Sequence, residues 1–542
     1  MSRIYVRNYI DNRDWKFYVA IVLGITLAGT SAAFLICNQF YHPPPPPSPP
    51  TRDEVPLSAY ESMTDAIISV MTPEQRLSAA NVFKTKGNLA FNNKDYAEAI
   101  RLYTQAIRFQ SNASFYASRA ACYANMELYD KVLEDCSTAL LLNPTFTKAL
   151  YCRAQALEKK GDLSEALFDY TCVCILEGFK NENAALERER ILKRVSEEKA
   201  KQLIKIKQPR FPSATFVSAY FDCFRPDSNM DIPSSTDTVN GDAYYAKARR
   251  ALAEKKYEEA FQDCQKAIVL GCSEKYVALA LNLKGTLAFL KGDANTALTC
   301  LHQSIQLDPT YIQSYIKRAS ILMELGDTED ALQVFEKAIE LSPMEPDIYY
   351  HRGQVYYISG DYKQAILDYE KSLMLDPSFV YAYIQLAVAQ YKLGMVSNSI
   401  QTFEQTIKKF SQSSDSYNYY GEVLADKGDL IRATDMFNKA MSLNPNHPLP
   451  YINKAMIKYQ SYQIEEAVNL CKSALEADPA CDAAVASLAQ MYLDQDRYTE
   501  ALKYYEKAID LARTEKELRI AISFVEATRM QIRFLNKYPK GE

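Results

Sequence analysis

The sequence predicts an all-α fold: a superhelix of paired helices behind a single N-terminal membrane helix. Three observations point there. Glycine is scarce, 16 of 542 residues, well under the usual level of about 7%, so tight turns and phosphate loops are few. Apolar residues make up 48% of the chain, enough for a large core. A small residue followed by an aromatic-rich half-turn recurs every 34 positions through the C-terminal half.

Composition excludes several functions. The 62 basic and 67 acidic side chains leave a net charge of -5, without the basic excess that nucleic-acid binding calls for. Twelve cysteines in so long a chain, with no Cys-x-x-Cys pair, do not make a disulfide scaffold or a zinc site. The four histidines, His42, His302, His351 and His447, are scattered. There is no Gly-x-x-x-x-Gly-Lys loop, no Gly-x-Ser-x-Gly and no His-Glu-x-x-His. No catalytic residue, metal or cofactor is expected.

The elements follow in order. Residues 1–16 form a short tail, with Arg3, Arg7, Arg13 and Lys16 against Asp11 and Asp14. Residues 17–41 carry no Asp, Glu, Lys or Arg. As a helix they would extend about 37 Å at 1.5 Å per residue, and the hydrocarbon layer is about 30 Å thick. A cleaved signal peptide would use the small residues at 28–33, and a buried helix would show a polar face. The segment is taken as a retained single-pass anchor contacting membrane lipid. Residues 42–80 are a Pro-rich linker and lead-in. The run Pro43–Pro47 with Pro49 and Pro50 is either a semi-rigid spacer or a linker with no spacing role.

The periodic body comes next. The small residues are Gly285, Ala319, Gly353, Ala387, Gly421, Ala455 and Ala489. Twelve positions after each stands Ala297, Ala331, Ala365, Ser399, Ala433, Ala467 or Ala501. Four further on comes Leu301, Phe335, Tyr369, Phe403, Phe437, Cys471 or Tyr505. Pro309, Pro343, Pro377, Pro445 and Pro479 close most units. This is the tetratricopeptide pattern: two antiparallel helices meet at small residues, a bulky side chain plugs the gap, and proline stops the second helix.

The same marks appear at Gly87, Ala120 and Ala154, and another unit starts near Gly241. The expected organisation is therefore three repeats plus a helix over 81–207, a linker over 208–240, and eight repeats over 241–513. A capping helix over 514–542 should cover the end of the stack. The linker is not uniformly polar: Phe211, Phe216, Val217, Tyr220, Phe221 and Phe224 are apolar, and such a run usually packs on a neighbouring surface.

The working surface should be the concave face lined by the first helix of each repeat. In the first group that face presents Lys84, Asn88, Ser118, Lys148 and Cys152. Two lysines and an amide donor can hold the carboxylate of an extended peptide's C-terminus; they are equally ordinary surface residues. In the second group it presents Tyr350, Gln354, Tyr357, Tyr381, Ile384, Tyr391, Ile452, Met456 and Tyr459. That mostly apolar lining suits amphipathic or unfolded segments, although some of these side chains could be core between helices.

Anchor, linker, three repeats and eight repeats together resemble the seventy-kilodalton class of mitochondrial outer-membrane import receptors, the tetratricopeptide-repeat receptors of the TOM complex. The resemblance covers essentially the whole chain. Lys84-Thr85-Lys86-Gly87-Asn88, Tyr349-Tyr350-His351-Arg352-Gly353-Gln354, Tyr383-Ile384-Gln385-Leu386-Ala387 and Ser487-Leu488-Ala489-Gln490-Met491 carry it, with the stretches 216–221 and 508–514. It implies a clamp in the first repeats for the C-terminal tails of Hsp70 and Hsp90, and precursor binding by the later repeats. The cargo would be carriers with internal signals, passed on to other translocase subunits. Of the family's five clamp positions, Lys84, Asn88 and Lys148 match, while Ser118 stands for an asparagine and Cys152 for an arginine. Arg119 and Arg153 sit one residue on, about 100° around a helix. Basic residues ahead of a span ordinarily stay cytoplasmic; the resemblance instead implies repeats facing the cytosol.

The expected function is thus a non-enzymatic receptor for mitochondrial precursors. The alternative is a membrane-tethered co-chaperone of another organelle, such as the endoplasmic reticulum. An enzyme carrying a repeat-borne targeting arm has no room in this chain.

Overall fold

A computed structural model describes residues 57–225 and 240–539. The expected tail and anchor lie outside the described residues, as does the Pro-rich run. No described helix is long and apolar enough to cross a membrane. Among the described residues there are 27 helices and no strand. Contacts divide them into two compact units, 57–202 with 522–539, and 203–225 with 240–521.

The first unit opens with α1 (Leu57–Glu61) and α2 (Asp65–Val70). Three hairpins follow: α3 (Pro73–Asn92) with α4 (Tyr96–Phe109), α5 (Ala113–Asn125) with α6 (Tyr129–Leu142), and α7 (Thr147–Lys159) with α8 (Leu163–Leu176). The long α9 (Glu182–Ile206) completes it. The second unit begins with α10 (Ala214–Asp222). Its hairpins are α11 (Gly241–Ala253) with α12 (Tyr257–Leu270), α13 (Glu274–Leu290) with α14 (Ala294–Leu307), and α15 (Ile312–Leu325) with α16 (Thr328–Leu341). Next come α17 (Pro346–Ile358) with α18 (Tyr362–Leu375), and α19 (Val380–Lys392) with α20 (Val396–Lys409). The last three are α21 (Ser414–Lys427) with α22 (Leu430–Leu443), α23 (Pro448–Gln460) with α24 (Ile464–Ala477), and α25 (Asp482–Asp494) with α26 (Tyr498–Leu511). The chain ends in α27 (Glu515–Lys537).

The periodic residues hold each hairpin together. The Tyr369 ring lies so close to Gly353 that an added Cβ would stand 2.8 Å from it, and Phe437 closes on Gly421 in the same way. Both plugs are fully buried. Arginine precedes the small residue in three hairpins and pairs with an aspartate on the second helix: Arg119–Asp135, Arg153–Asp169 and Arg352–Asp368. The turn between the helices uses one left-handed residue, and it too recurs. Gly292, Gly326, Gly360, Gly394 and Gly428 fill it in five successive hairpins, Tyr462 and Asp496 in the next two. The scarce glycines are therefore concentrated where L side chains cost about 1–2 kcal/mol.

Two expectations change. The 208–240 segment, expected as a linker whose apolar run packs on a neighbouring surface, contains α10. Ser213 caps it, its hydroxyl accepting from Phe216 N–H at 3.1 Å, and Val217, Tyr220 and Cys223 are buried. The helix expected to cap the second stack leaves it after Ala521. From Ile522 on, α27 belongs to the first unit, where Met530 and Phe534 join the core of α5–α9. Arg533 makes a paired contact with Glu165 at 2.6 and 2.7 Å, and its guanidinium lies 4.0 Å from the Phe168 ring. An apolar face with basic residues on its flank found an aromatic and an acid to match it.

Candidate protein-binding grooves

In both units the first helices of successive hairpins pack on one another, α5 on α7 and α13 through α25 in turn. They form the wall on which the expected binding residues stand.

In the first unit three of these residues come together. The Lys84 ammonium reaches Ser114 Oγ at 3.4 Å and sits over the Phe115 ring. Ser118 donates to the Ser114 carbonyl at 2.9 Å. Asn88 accepts from the Tyr103 hydroxyl at 2.7 Å, and Ser118 lies near that hydroxyl. That bond uses the Asn88 amide oxygen and not its N–H groups. Lys148 is exposed, lines a recess with Tyr151, Glu177 and Asn181, and none of these bonds reaches it. Arg119 and Arg153 are committed elsewhere: each makes a two-pronged contact with its aspartate, at 2.7–2.8 Å and 2.6–2.8 Å respectively. Both guanidiniums are thereby turned toward the second helix of their own hairpin. Cys152 lies beside the buried Cys136, both as free thiols. The Cys136 pKa is raised, first by its interaction with the Cys152 thiol and then by burial, so Cys136 keeps its proton.

The second unit's wall is covered. Tyr350, Gln354, Tyr357, Ile384 and Ile452 are buried, whereas Tyr381, Tyr391, Met456 and Tyr459 remain partly exposed. What covers much of this wall is the chain itself. Residues 211–225 lie against it, and Val217, Tyr220 and Cys223 share one apolar core with Tyr350, Tyr357, Ile384 and Tyr419. Phe211 packs on Tyr257 and Phe261, Tyr220 on Phe289, and Phe224 stacks on His351 at 4.4 Å. Burial drives the His351 pKa down to about 4, so the ring is neutral at physiological pH. Arg225 ends the segment. Its guanidinium bonds Asp347, Asp376 (2.6 Å) and Ser372 (3.1 Å), and lies 4.1 Å from the Phe379 ring. The fully buried Asp347 also accepts from the Arg225 backbone N–H at 3.2 Å and the Gln313 amide at 3.0 Å. At the other end Arg210 donates to the Asp510 carbonyl at 3.0 Å. A cavity of about 120 Å³ stays open beside Phe216, with Asp482, Arg513 and Glu517 in its lining.

Sequence reasoning missed Asp347, Asp376 and Arg225. The one available signal was a lone arginine closing an aromatic run, Phe216 to Arg225.

Family models for the TPR repeat match residues 319–357 and 353–394, and tetratricopeptide-repeat models match 381–413, 414–447 and 452–515. The rat mitochondrial import receptor subunit TOM70 is 31% identical over 493 residues, 85% of this chain and 80% of the relative. The chain belongs to the TOM70 family. The TOM70 of Saccharomyces cerevisiae is 30% identical over 512 residues, 85% of this chain and 82% of that one. The crystal structure of yeast Tom70 superposes with a TM-score of 0.54 at 30% identity, over 84% of this chain and 96% of that one. A TOM70 relation thus spans both units.

Proposed function

We propose that the chain is a mitochondrial import receptor that binds cytosolic precursor proteins and passes them to the translocase. The observation that carries this is the likeness to import receptor subunits over 85% of the chain. The eleven hairpins, three and eight, work as two repeat groups. The first group takes the acidic C-terminal tails of Hsp70 and Hsp90 through Lys84, Asn88, Ser118 and Lys148. Charge-assisted donors on an exposed wall suit a terminal carboxylate. The second group holds the precursor, chiefly carriers with internal signals, through its apolar wall. Residues 17–41 anchor the chain in the outer membrane with the repeats facing the cytosol. The chain acts as a scaffold, not an enzyme.

The test is import and location together. A fluorescent fusion should reside on mitochondria, and full-length chain in detergent should retain a radiolabelled carrier precursor. Sole residence in the endoplasmic reticulum would favour the tethered co-chaperone instead. Failure to retain any precursor would refute the receptor.

A further inference from the structure

We propose that precursor segments enter the second unit's groove by displacing residues 211–225, and that the groove selects segments of the same chemistry, an aromatic helix ending in a basic residue. The inference rests on the receptor reading above and specifies its cargo.

The resident segment shows what the wall recognises. Its apolar residues are taken up by the wall as a single core. Its arginine enters a site made for a guanidinium: carboxylates on two sides, a hydroxyl and an aromatic face. Nothing in that site depends on the arginine being covalently part of this chain. A two-pronged carboxylate grip plus ring stacking discriminates arginine from other side chains.

The seam between segment and wall is also imperfect. The Tyr220 and Tyr419 hydroxyls and His351 Nε2 are buried without a hydrogen-bond partner among the described residues. Buried polar groups are usually paired, and each unpaired one lowers the free energy needed to lift the segment away. The cavity beside Phe216 leaves room at one end of the segment for an incoming side chain. A tethered occupant competes at an effective concentration of order mM when its linker is short. Cargo therefore binds with moderate affinity and can be released again.

Cys223 reports displacement directly, because it lies on the segment with its thiol buried against the wall. Full-length chain is treated with iodoacetamide, and labelling of each cysteine is followed by mass spectrometry. Alone, Cys223 should label slowly. A carrier precursor should raise its rate at least tenfold and leave buried Cys136 and Cys471 unchanged. A synthetic peptide of residues 211–225 with Cys223→Ser should do the same, and its Arg225→Glu version should not. In the chain, Arg225→Glu should raise basal labelling; if that variant fails to fold, the wild-type assay still decides. A precursor that binds while Cys223 stays protected overturns displacement and leaves the receptor standing. Equal action of the two peptides overturns the arginine preference. No precursor binding at all overturns the receptor and this inference with it.

Discussion

In the first unit Lys84, Asn88 and Ser118 stand on a wall that solvent reaches, Lys84 and Ser118 both bonded to Ser114 and Asn88 to Tyr103. In the second, Tyr350, Tyr357 and Ile384 occupy equivalent first-helix positions and are sealed beneath the chain's own segment. The same hairpin is used in both. The difference lies in side chains: a polar wall is stable in water, whereas a long apolar wall is costly to leave bare. A long apolar groove needs an occupant, and here residues 211–225 supply it. In the open groove a substitution should change binding with little effect on stability; in the filled groove it should change both.

The largest expected effect breaks the filled groove at its ion site. Asp347 is completely buried and Arg225 nearly so. Replacing Arg225 by Ala leaves the carboxylate unpaired and should cost about 3–5 kcal/mol. Urea unfolding of the full chain measures it. A loss under 1 kcal/mol would mean that the segment is not held where the structure has it.

Acid should loosen the same groove. His351 faces Asp347, Gln354, Tyr350, Phe224, Lys317 and Arg225, and burial lowers its pKa to about 4. A depressed histidine pKa means that the unfolded state takes up the proton first. Stability is then full above the unfolded value of about 6.5 and is lost as pH falls toward about 4, by about 3 kcal/mol. His447, also lowered by burial, acts in the same direction. Thermal unfolding between pH 7 and pH 4 should show a fall in Tm that is reduced in His351→Gln. An identical fall in both would assign it to other groups.

In the open groove Lys148→Ala should weaken a chaperone-tail peptide about tenfold, since a bond to a charged group contributes about 1.5–3 kcal/mol. Stability should move by no more than about 0.5 kcal/mol. Cys152→Arg should strengthen the peptide by restoring a two-pronged contact. Calorimetric titration decides; if neither variant alters binding, the carboxylate site is not on this wall.

A control sharpens the contrast. Tyr462 is exposed and left-handed at φ 60°. Tyr462→Gly relieves that strain and should stabilise the chain by about 1 kcal/mol, with neither ligand's affinity changed. Destabilisation would show that its ring packs usefully.

Much of this was legible because it is periodic. Ala319, Ala387 and Gly421 are buried, as their spacing demands, and Phe335, Phe403 and Phe437 fill the gaps opposite. Arg153, one residue and about 100° round the helix from Cys152, turns to Asp169. What periodicity cannot carry is the destination of a segment outside the period. The apolar run 211–224 was visible, but not which wall it would meet. The far half of α27 was visible as amphipathic, yet its partner Phe168 lies in a distant hairpin. Tyr357 and Ile384 were expected on an open surface. Their burial makes an aspartate at either position a folding defect, so Tyr381, Tyr391 and Tyr459 are the better places to challenge cargo binding.

The most direct measurement compares both ligands on the full-length chain as salt rises from about 0.05 to 0.5 M. Screening weakens exposed charge contacts far more than apolar burial. The expected result is steep loss of tail-peptide binding and nearly constant precursor binding, the latter reduced by Tyr381→Asp or Tyr391→Asp. Precursor binding that disappears in moderate salt, or that ignores both substitutions, would contradict an apolar cargo groove in the second unit.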